Sequence, residues 1–303
     1  MDIIYAEQVV DCEGSAVALG NFDGLHIAHM CVINNAIDAA RELGLKSGVL
    51  LFDENTKNFT SNKIIELITP NEAKLELLAR EHPDFVYIRK FTPEFMKLSP
   101  EDFIKLLIKN VGARVISVGY DYSFGHKAEG NVEMLKEFGK KYGFSVIVTD
   151  RVTIDDKTVS STYIRELIKS GNMEETERFL GRRYCVEGKV IYGKQNGHKM
   201  GLPTANVDFD PNMALPKEGV YAGITYVDGR RLKCVINVGK NITFNAKKLT
   251  IESHILDFNE DIYDKYIRVS FATRLRDMKK FDTMEDLKKQ IGRDIERTRK
   301  MNL

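Results

Sequence analysis

The sequence predicts an α/β fold: a doubly wound parallel sheet, followed by a small antiparallel β-barrel that carries a terminal helix. Short apolar segments alternate with helical periods up to about residue 182, which is typical of a parallel sheet covered by helices. Beyond that point, strand-like segments follow one another with only Gly, Asn and Asp turns between them, as in a small barrel. We therefore expect two domains, 1–182 and 183–303.

Composition limits the kind of protein that this is. The 303 residues are 43% hydrophobic and 29% charged, as in globular proteins, and the net charge of +1 is too small to favour nucleic acid or anionic membrane as a partner. No apolar stretch has the length of a membrane span. The four cysteines form no C-x-x-C pair, so we expect small buried thiols in a reducing, cytoplasmic setting.

Five apolar segments are the expected strands of the first domain. They are Ala16 to Leu19, Gly48 to Phe52, Phe85 to Ile88, Val115 to Val118 and Val146 to Val148. Two intervening helices have N-terminal signals: Thr69 before Pro70 predicts a capping box, and Ser99 before Pro100 repeats the pattern.

The turn after the first strand is the strongest candidate site. Its sequence is G-N-F-D-G-L-H-I-A-H, from Gly20 to His29, and it leads into a helix whose apolar residues recur every three to four positions. Two histidines three apart on a first helical turn face the same way, beside unpaired N–H groups, which favours phosphate. The alternatives are a capping or surface role for a histidine and a zinc site, which lacks a third ligand here.

A second candidate is the helix start at Ser160-Ser161-Thr162, with Arg165 three residues further on. Hydroxyls at this position can cap the helix or bind phosphate oxygens, and an arginine adds a bidentate contact. A Ser-Ser-Thr cap is also common without any ligand.

A third candidate is the loop Gly119 to Gly125, which contains Asp121 and Phe124. Its aromatic residues and glycines could hold a planar ring close to the backbone, whereas a strand that simply ends in a turn explains only the glycines.

The second domain is expected to contain five strands and a last helix. The strands are Cys185 to Tyr192, Val220 to Val227, Leu232 to Val238, Leu249 to Leu256 and Tyr266 to Phe271. Met284, Leu287, Ile291 and Ile295 predict the amphipathic helix, with basic residues near its end.

A glycine-rich loop in this domain is followed at once by P-T-A-N. Gly193, Gly197 and Gly201 are four residues apart, a spacing that lets backbone N–H groups surround a phosphate, and Lys199 adds charge. Thr204 and Asn206 supply neutral oxygens suited to a magnesium ion already held by ATP phosphates.

Glu252 and His254 lie on one face of the predicted strand E-S-H-I-L-D-F. A glutamate that faces a bound alcohol can act as a general base in phosphoryl transfer. By itself, however, Glu252 would more often be a solvent-facing strand residue.

These motifs resemble two known families. The segment H-I-A-H resembles the H-x-G-H signature of the nucleotidyltransferase superfamily, and the wider G-N-F-D-G-x-H frame resembles its flavin-adenylylating branch, as do S-S-T-Y-I-R and G-Y-D-Y-S-F-G. The glycine loop with P-T-A-N and the E-S-H-I-L-D-F strand resemble the riboflavin kinase family. Their order is that of the prokaryotic bifunctional riboflavin kinase and FAD synthetase family.

The resemblance implies phosphorylation of riboflavin to FMN by the second domain and adenylylation of FMN to FAD, with release of pyrophosphate, by the first. It implies ATP with Mg²⁺ at both steps, Glu252 as base, His26 and His29 at the triphosphate, and Thr204 and Asn206 at the metal. Further nucleotide or flavin contacts are implied for Gly20, Asn21, Phe22, Asp23, Asp121, Phe124, Ser161, Thr162, Arg165, Gly193, Lys199, Gly201 and Pro203. The oligomeric state stays open.

The chain departs from the family pattern at several positions. Ala28 replaces the usual glycine, Lys127 an arginine, Ile242 a proline and Asp264 a glycine, and the segment 52–56 replaces a proline-containing loop. Two alternatives therefore accompany the bifunctional enzyme: a riboflavin kinase with impaired adenylylation, and a catalytically silent flavin-binding regulator. Adenylylation of nicotinate mononucleotide or phosphopantetheine is disfavoured, because those enzymes carry no attached kinase domain of this kind.

Overall fold

The computed structural model describes residues 1–6, 8–53, 65–193, 201–243 and 246–303. The chain divides into two compact units, Met1–Ser161 and Thr162–Leu303. Each unit is described below by itself.

The first unit contains a six-stranded sheet in which all neighbouring strands are parallel. Its strands are β1 (Asp2–Tyr5), β2 (Ser15–Leu19), β3 (Lys46–Phe52), β4 (Phe85–Arg89), β5 (Ala113–Gly119) and β6 (Ser145–Thr149), in the order β1-β4-β3-β2-β5-β6. The five predicted strands are confirmed. The predicted strands do not include β1, an edge strand of four residues that is mostly exposed and whose apolar part is only Ile3 to Tyr5.

Helices cover both faces of this sheet. They are α1 (Ile27–Leu43), α2 (Asn71–Glu81), α3 (Pro100–Val111) and α4 (Val132–Tyr142). Buried residues of α1 and α2, such as Ile33 and Leu78, share one core, whereas Phe103 of α3 and Leu135 of α4 belong to another. Two cores on opposite faces confirm the doubly wound architecture.

The two predicted helix starts have different outcomes. Ser99 caps α3 as expected, since its Oγ accepts the N–H of Asp102 at 3.1 Å. The capping box at Thr69 is wrong: the N-cap of α2 is Pro70, and no side chain caps it. In a capping box the side chain of Glu72 would accept the N–H of Thr69, but this N–H donates to the distant carboxylate of Asp23.

The first unit also has a two-residue hairpin, β7 (Thr153–Ile154) with β8 (Lys157–Thr158). The first unit ends at Ser161, the first residue of helix α5 (Ser161–Ser170), and the other residues of this helix lie in the second unit.

The second unit is built around a closed antiparallel barrel. After α6 (Met173–Leu180), its strands are β9 (Cys185–Ile191), β10 (Ala205–Phe209), β11 (Gly219–Val227), β12 (Arg230–Thr243), β13 (Ala246–Ile255) and β14 (Tyr266–Arg276), and the last helix is α7 (Met284–Lys300). The barrel order is β10-β13-β12-β11-β14-β9. The predicted barrel, its five strands and α7 are confirmed, whereas β10 begins inside the P-T-A-N string and is an additional strand.

Helix α6 packs against the barrel within this unit. Thr273 of β14 donates to the carboxylate of Glu174, and a Cβ at Gly171 would come within 2.7 Å of the Tyr221 hydroxyl. The compact unit therefore begins at Thr162, ahead of the boundary at residue 182 that the sequence predicts. That boundary stays a prediction of where the two activities divide.

All four cysteines are free thiols, but they differ in exposure. Cys234 is buried inside the barrel, and burial raises the pKa of its thiol to about 11. Cys31 is exposed on α1, so the expectation of a buried side chain is wrong there. Across the described ranges, no helix is both long and apolar enough to cross a membrane.

Candidate active sites

The Gly20 to His26 turn follows β2, the strand at which the order of the strands in the sheet reverses. Strand β2 has β3 on one side and β5 on the other, and the chain builds the β3 side before it returns to form β5. In open α/β sheets, ligands bind outside the carboxyl ends of the strands at this kind of switch point. The first candidate site is therefore positioned by strand order.

His26 and His29 form one stacked pair at this turn. Their ring centroids are 3.5 Å apart and the ring planes differ by 17°. His26 is the N-cap of α1, with extended backbone, rather than a residue of the first turn as expected. Its Nδ1 accepts the N–H of His29 at 3.3 Å, which places the proton of a neutral ring on Nε2. One imidazole thus caps the helix through Nδ1, and the donor of its neutral ring is on Nε2.

The turn that carries the histidines has an unusual backbone. Phe22 and Leu25 have φ values of 46° and 42°, although bulky residues rarely adopt the left-handed region. Both side chains are almost fully buried in the core beside α1. The ring of Phe22 occupies the space of a Cβ at Gly20 and packs edge-on against His29, with centroids 5.3 Å apart. Core packing therefore holds a strained turn in place, as is frequent at functional sites.

Asp23 and Ser161 brace the same turn. Asp23 is 3% exposed, and its Oδ1 accepts the N–H groups of Ile68 and Thr69 at 3.0 and 3.2 Å. The Ser161 hydroxyl donates to the main-chain oxygen of Asp23 at 2.8 Å. The structure thus brings together two motifs that are far apart in sequence. Thr162 and Arg165 follow Ser161 in α5 and belong to the second unit.

The side chains of Phe22 and Asp23 are buried and make contacts within the protein: Phe22 packs in the core, and Asp23 accepts backbone hydrogen bonds. Both were expected to contact a nucleotide, but their burial leaves the backbone of the turn, together with Gly20 and exposed Asn21, to face a ligand. Those contacts remain predictions.

The loop after β5 forms a rigid aromatic wall. Phe124 is 5% exposed and stacks on Tyr122, with centroids 5.7 Å apart, while Asp121 is exposed. Burial raises the pKa of the Tyr122 phenol. Gly125 has a φ of 74°, and a Cβ there would lie 2.8 Å from the backbone of Pro100. Asp121 therefore faces solvent, whereas Phe124 supports the loop from inside the core.

The segment 52–56 is described only at its start. Phe52 packs edge-on against Phe91 with centroids 5.2 Å apart, and Asp53 accepts the N–H of Phe91 at 3.1 Å. Residues 54–56 lie outside the described residues.

The second candidate site lies on the barrel. Strand pairing places Glu252 of β13 directly opposite Asn206 of β10 on one side and opposite Asn237 of β12 on the other. The Nδ1 atom of His254 is 2.8 Å from the main-chain oxygen of Pro203, which ties β13 to the P-T-A-N segment. The barrel thereby joins the P-T-A-N string to the predicted base.

Glu252 and Thr204 line one cavity of about 210 Å³. The wall is largely apolar and includes Val220 and Val235 of the barrel together with Leu287 and Ile291 of α7. An apolar cleft with a few convergent polar groups is the usual form of a small-molecule site.

An ion pair holds α7 beside this cavity. Arg276 at the end of β14 bonds to Asp294 of α7, with an Nη2–Oδ2 distance of 2.8 Å, and Asp294 is only 5% exposed. Both residues line the cavity. Sequence patterns did not single them out, because a salt bridge between a strand end and a helix has no local signal.

The ends of the glycine-rich loop are described, and its centre is not. A Cβ at Gly193 would lie 2.3 Å from the amide nitrogen of Asn206, so the backbone passes closely over that side chain. Gly201 has a φ of 74°, which glycine adopts without strain. Lys199, like the rest of 194–200, lies outside the described residues.

The residues near Glu252 fit a hard divalent cation. Thr204 and Asn206 offer neutral oxygens, and the carboxylate of Glu252 is close by through strand pairing. Within the described ranges, no group of three or more His, Cys, Asp or Glu side chains could hold a metal ion. The few oxygens of Thr204, Asn206 and Glu252 therefore suit a cation that phosphate oxygens also hold.

Two family models match the chain. Residues 9–163 match FAD synthetase, and residues 180–302 match riboflavin kinase. The two matched regions contain the first and second candidate sites, respectively.

Relatives of the full length are known in bacteria. A bifunctional riboflavin kinase/FMN adenylyltransferase of Listeria monocytogenes is 36% identical over 93% of this chain and 91% of its own length. The protein of that name from Bacillus subtilis is 32% identical over 92% of this chain and 90% of its own. Both relatives are therefore similar to this chain across both of its matched regions.

One solved structure is similar over the full length of both chains. It is described as a macrolide-efflux protein from Streptococcus pneumoniae, with a TM-score of 0.92 and 31% identity. The family models and the curated relatives agree with each other across both units. This chain belongs to the family of bacterial bifunctional riboflavin kinase/FMN adenylyltransferases.

Proposed function

We propose that this protein converts riboflavin to FMN and then FMN to FAD, with one ATP consumed at each step. One observation carries the proposal: each unit has its own candidate site. The first unit has a stacked histidine pair beyond the carboxyl end of β2, and the second has a glutamate beside an apolar cavity. The two sites offer different chemistry, as two different transfers from ATP require.

The kinase step uses the barrel cavity. The apolar wall binds the flavin ring system, and the terminal ribityl hydroxyl points at Glu252. Glu252 accepts the proton of that hydroxyl. The hydroxyl oxygen of the ribityl chain forms a bond to the γ-phosphorus of ATP, and ADP leaves. His254 keeps the P-T-A-N segment beside this base through its contact with Pro203.

The nucleotide lies toward the glycine-rich loop. Gly193, Lys199, Gly201 and Pro203 are the proposed phosphate contacts, and Thr204 and Asn206 are the proposed Mg²⁺ ligands. Bound Mg²⁺ neutralises phosphate charge and orients the leaving group. The close approach of Gly193 to Asn206 supports a compact phosphate site.

The adenylylation step uses the turn that follows strand β2 in the first unit. An oxygen of the FMN phosphate attacks the α-phosphorus of a second ATP, and pyrophosphate leaves. His26, through its Nε2 proton, and His29 stabilise the charge that develops on the triphosphate. Thr162 and Arg165 are proposed to add contacts from α5, while Ser161 holds the turn.

Further contacts in this unit are proposed from the same turn and from the loop after β5. The backbone from Gly20 to Asp23 faces the nucleotide, and Asp121 faces the flavin or the ribose. Phe124 supports the loop from within the core, as its burial indicates.

The activities are assigned to residues 1–182 and 183–303. The gap between the matched family regions, 164–179, lies just before the second range and supports this division. Four free cysteines and the need for ATP support a cytoplasmic location as part of the proposal. The efflux role named for the similar solved structure is not transferred, because both family models and the curated relatives name flavin enzymes.

A flavin turnover assay tests this function. The protein is incubated with riboflavin, ATP and Mg²⁺, and flavins and nucleotides are separated over time. We expect FMN and then FAD, with one ADP formed per phosphorylation and one pyrophosphate per FAD. The absence of both products would contradict the enzyme, and flavin binding without turnover would favour the silent regulator.

A second incubation, with FMN and ATP, separates the remaining alternative. A bifunctional enzyme forms FAD and pyrophosphate in equal amounts. FMN production from riboflavin without any FAD from FMN would identify a kinase whose adenylylation is lost, as the departure at Ala28 allows.

A further inference from the structure

Asn237 occupies a special place in the barrel cavity. It lies on β12 directly opposite Glu252 of β13, so the two Cα atoms are about 5 Å apart, as in any antiparallel pair. Its neighbours Ile236 and Val238 are fully buried inside the barrel. Asn237 points the other way and lines the cavity together with Glu252 and Thr204.

The carboxamide of Asn237 is not satisfied by the described part of the protein. Its Oδ1 atom is buried, and no described residue donates a hydrogen bond to it. A buried amide oxygen without a donor is unfavourable, so such atoms are rare in folded proteins and call for an explanation. A ligand in the cavity is the explanation that its position offers.

The chemistry of the amide narrows the partner. A carboxamide can accept and donate at the same time, which matches a hydroxyl group that also does both. The partner must lie within reach of a residue that is itself one strand away from Glu252. In the proposed complex, Glu252 faces the terminal ribityl hydroxyl, so the groups next to it are the secondary ribityl hydroxyls rather than the distant flavin ring.

We propose that Asn237 is a positioning residue that binds a secondary hydroxyl of the ribityl chain and thereby directs the terminal hydroxyl to Glu252. This inference rests on the proposed kinase function and adds the group that selects a polyhydroxylated side chain. The apolar residues of the cavity lining, such as Val220 and Val235, cannot make that selection, because their side chains have no hydrogen-bonding groups. Replacing Asn237 should therefore remove selectivity for the side chain, not merely lower activity.

The test combines one substitution with one substrate analogue. The analogue is an isoalloxazine with a 5-hydroxypentyl chain, which keeps the terminal hydroxyl and lacks the three secondary ones. For the unsubstituted protein we expect kcat/KM to be roughly 10-fold to 100-fold lower with the analogue than with riboflavin. For Asn237→Ala we expect a similar loss with riboflavin and equal use of the two substrates to within about threefold.

Asn212→Ala is the matched control, because Asn212 is an exposed asparagine of the same unit outside the cavity. It should retain the full preference for riboflavin. Thermal melting shows whether each variant folds. Asn237→Ser, which places a smaller hydrogen-bonding group at this position, replaces Asn237→Ala if the latter does not fold. The serine variant is expected to show an intermediate preference.

Riboflavin binding, followed by quenching of flavin fluorescence, gives a readout that needs no turnover. FMN formation by an Asn237→Ala protein that still prefers riboflavin to the full extent would overturn this inference and leave the kinase function intact. An effect confined to the KM for ATP or Mg²⁺ would overturn it as well. If the unsubstituted protein bound riboflavin through Asn237 but made no FMN, the proposed function would fail, the positioning role would fail with it, and only the contact between Asn237 and the ribityl chain would stand.

Discussion

At the scale of single residues, neighbours decide what a catalytic side chain can do. Glu252 would be an ordinary outward-facing strand residue if α7 and the end of β14 did not enclose its surroundings. Instead it shares a cavity wall with Thr204 and has an asparagine opposite it on each side. His26 is likewise drawn into a cap and a ring stack by His29.

Glu252→Gln and His29→Ala should separate the two activities. Without its carboxylate, the barrel loses a proton acceptor, so we expect FMN formation to fall about 100-fold or more, with FMN-to-FAD conversion unchanged. His29→Ala should lower FAD formation by roughly 100- to 1,000-fold and spare the kinase. Initial rates with riboflavin and with FMN as separate substrates measure both effects.

Each of these variants is the control for the other, since the residues lie in different units. Equal loss of both activities from either substitution would contradict the division of labour. A melting temperature close to that of the unsubstituted protein excludes unfolding as the cause.

Site residues could be predicted from motifs, but the partners of their side chains could not. The spacing of His26 and His29 indicated a shared site, and the two rings are stacked. Phe22 and Asp23 were expected at a ligand, yet one is packed in the core and the other holds Ile68 and Thr69. Those partners lie some 45 residues away, so no local pattern contains them.

At the scale of elements, two glycines of the second unit, one in a strand and one in a helix, differ in the space around them. Gly223 in β11 faces a crowded position, where a Cβ would lie 2.1 Å from the main-chain oxygen of Ser270. Gly292 in α7 is exposed, and no atom outside its own helix lies within 4 Å of the Cβ position. The same substitution should therefore have opposite effects on stability.

We expect Gly292→Ala to raise the free energy of unfolding by about 0.5–1 kcal/mol, because alanine loses less backbone entropy in a helix. Gly223→Ala should lower it by roughly 1–3 kcal/mol or more, since backbone must move to admit the methyl group. Urea unfolding of both variants measures the difference. Destabilisation by Gly292→Ala would mean that α7 is not an ordinary exposed helix at this position.

Element predictions succeeded where the signal was local and failed where the partner was distant. Ser99 caps α3 because donor and acceptor are three residues apart. Thr69 does not form the capping box with α2, since the N–H that the box would use donates to Asp23. The sequence does not predict strand β1, whose apolar part is only Ile3 to Tyr5, although this strand pairs in register with β4.

At the scale of the whole molecule, the compact units and the expected catalytic domains have different limits. The second unit begins at Thr162, and α6 packs on β14 within it. A fragment that starts at residue 183 would lack α6 together with its buried residues, such as Met173 and Phe179. The kinase chemistry and the stability of its unit therefore need not share one boundary.

We expect a fragment of residues 162–303 to be more stable than one of residues 183–303. The shorter fragment loses the Glu174–Thr273 hydrogen bond and the covering of Tyr221 by Gly171, so its melting temperature should be lower by more than about 5 °C. Both fragments retain Glu252 and P-T-A-N, and riboflavin phosphorylation by each can be measured. Equal melting temperatures would support the boundary at residue 182.

The sequence by itself determined the two fold classes, the order of the two kinds of site and most strands, because apolar periodicity and motif spacing are local properties of the chain. Only the tertiary structure decided which distant groups meet: Ser161 with the Asp23 backbone, Pro203 with His254, and Asn237 with Glu252. Such meetings depend on strand order and register, which bring residues together from far apart in the chain. A single sequence does not display that information.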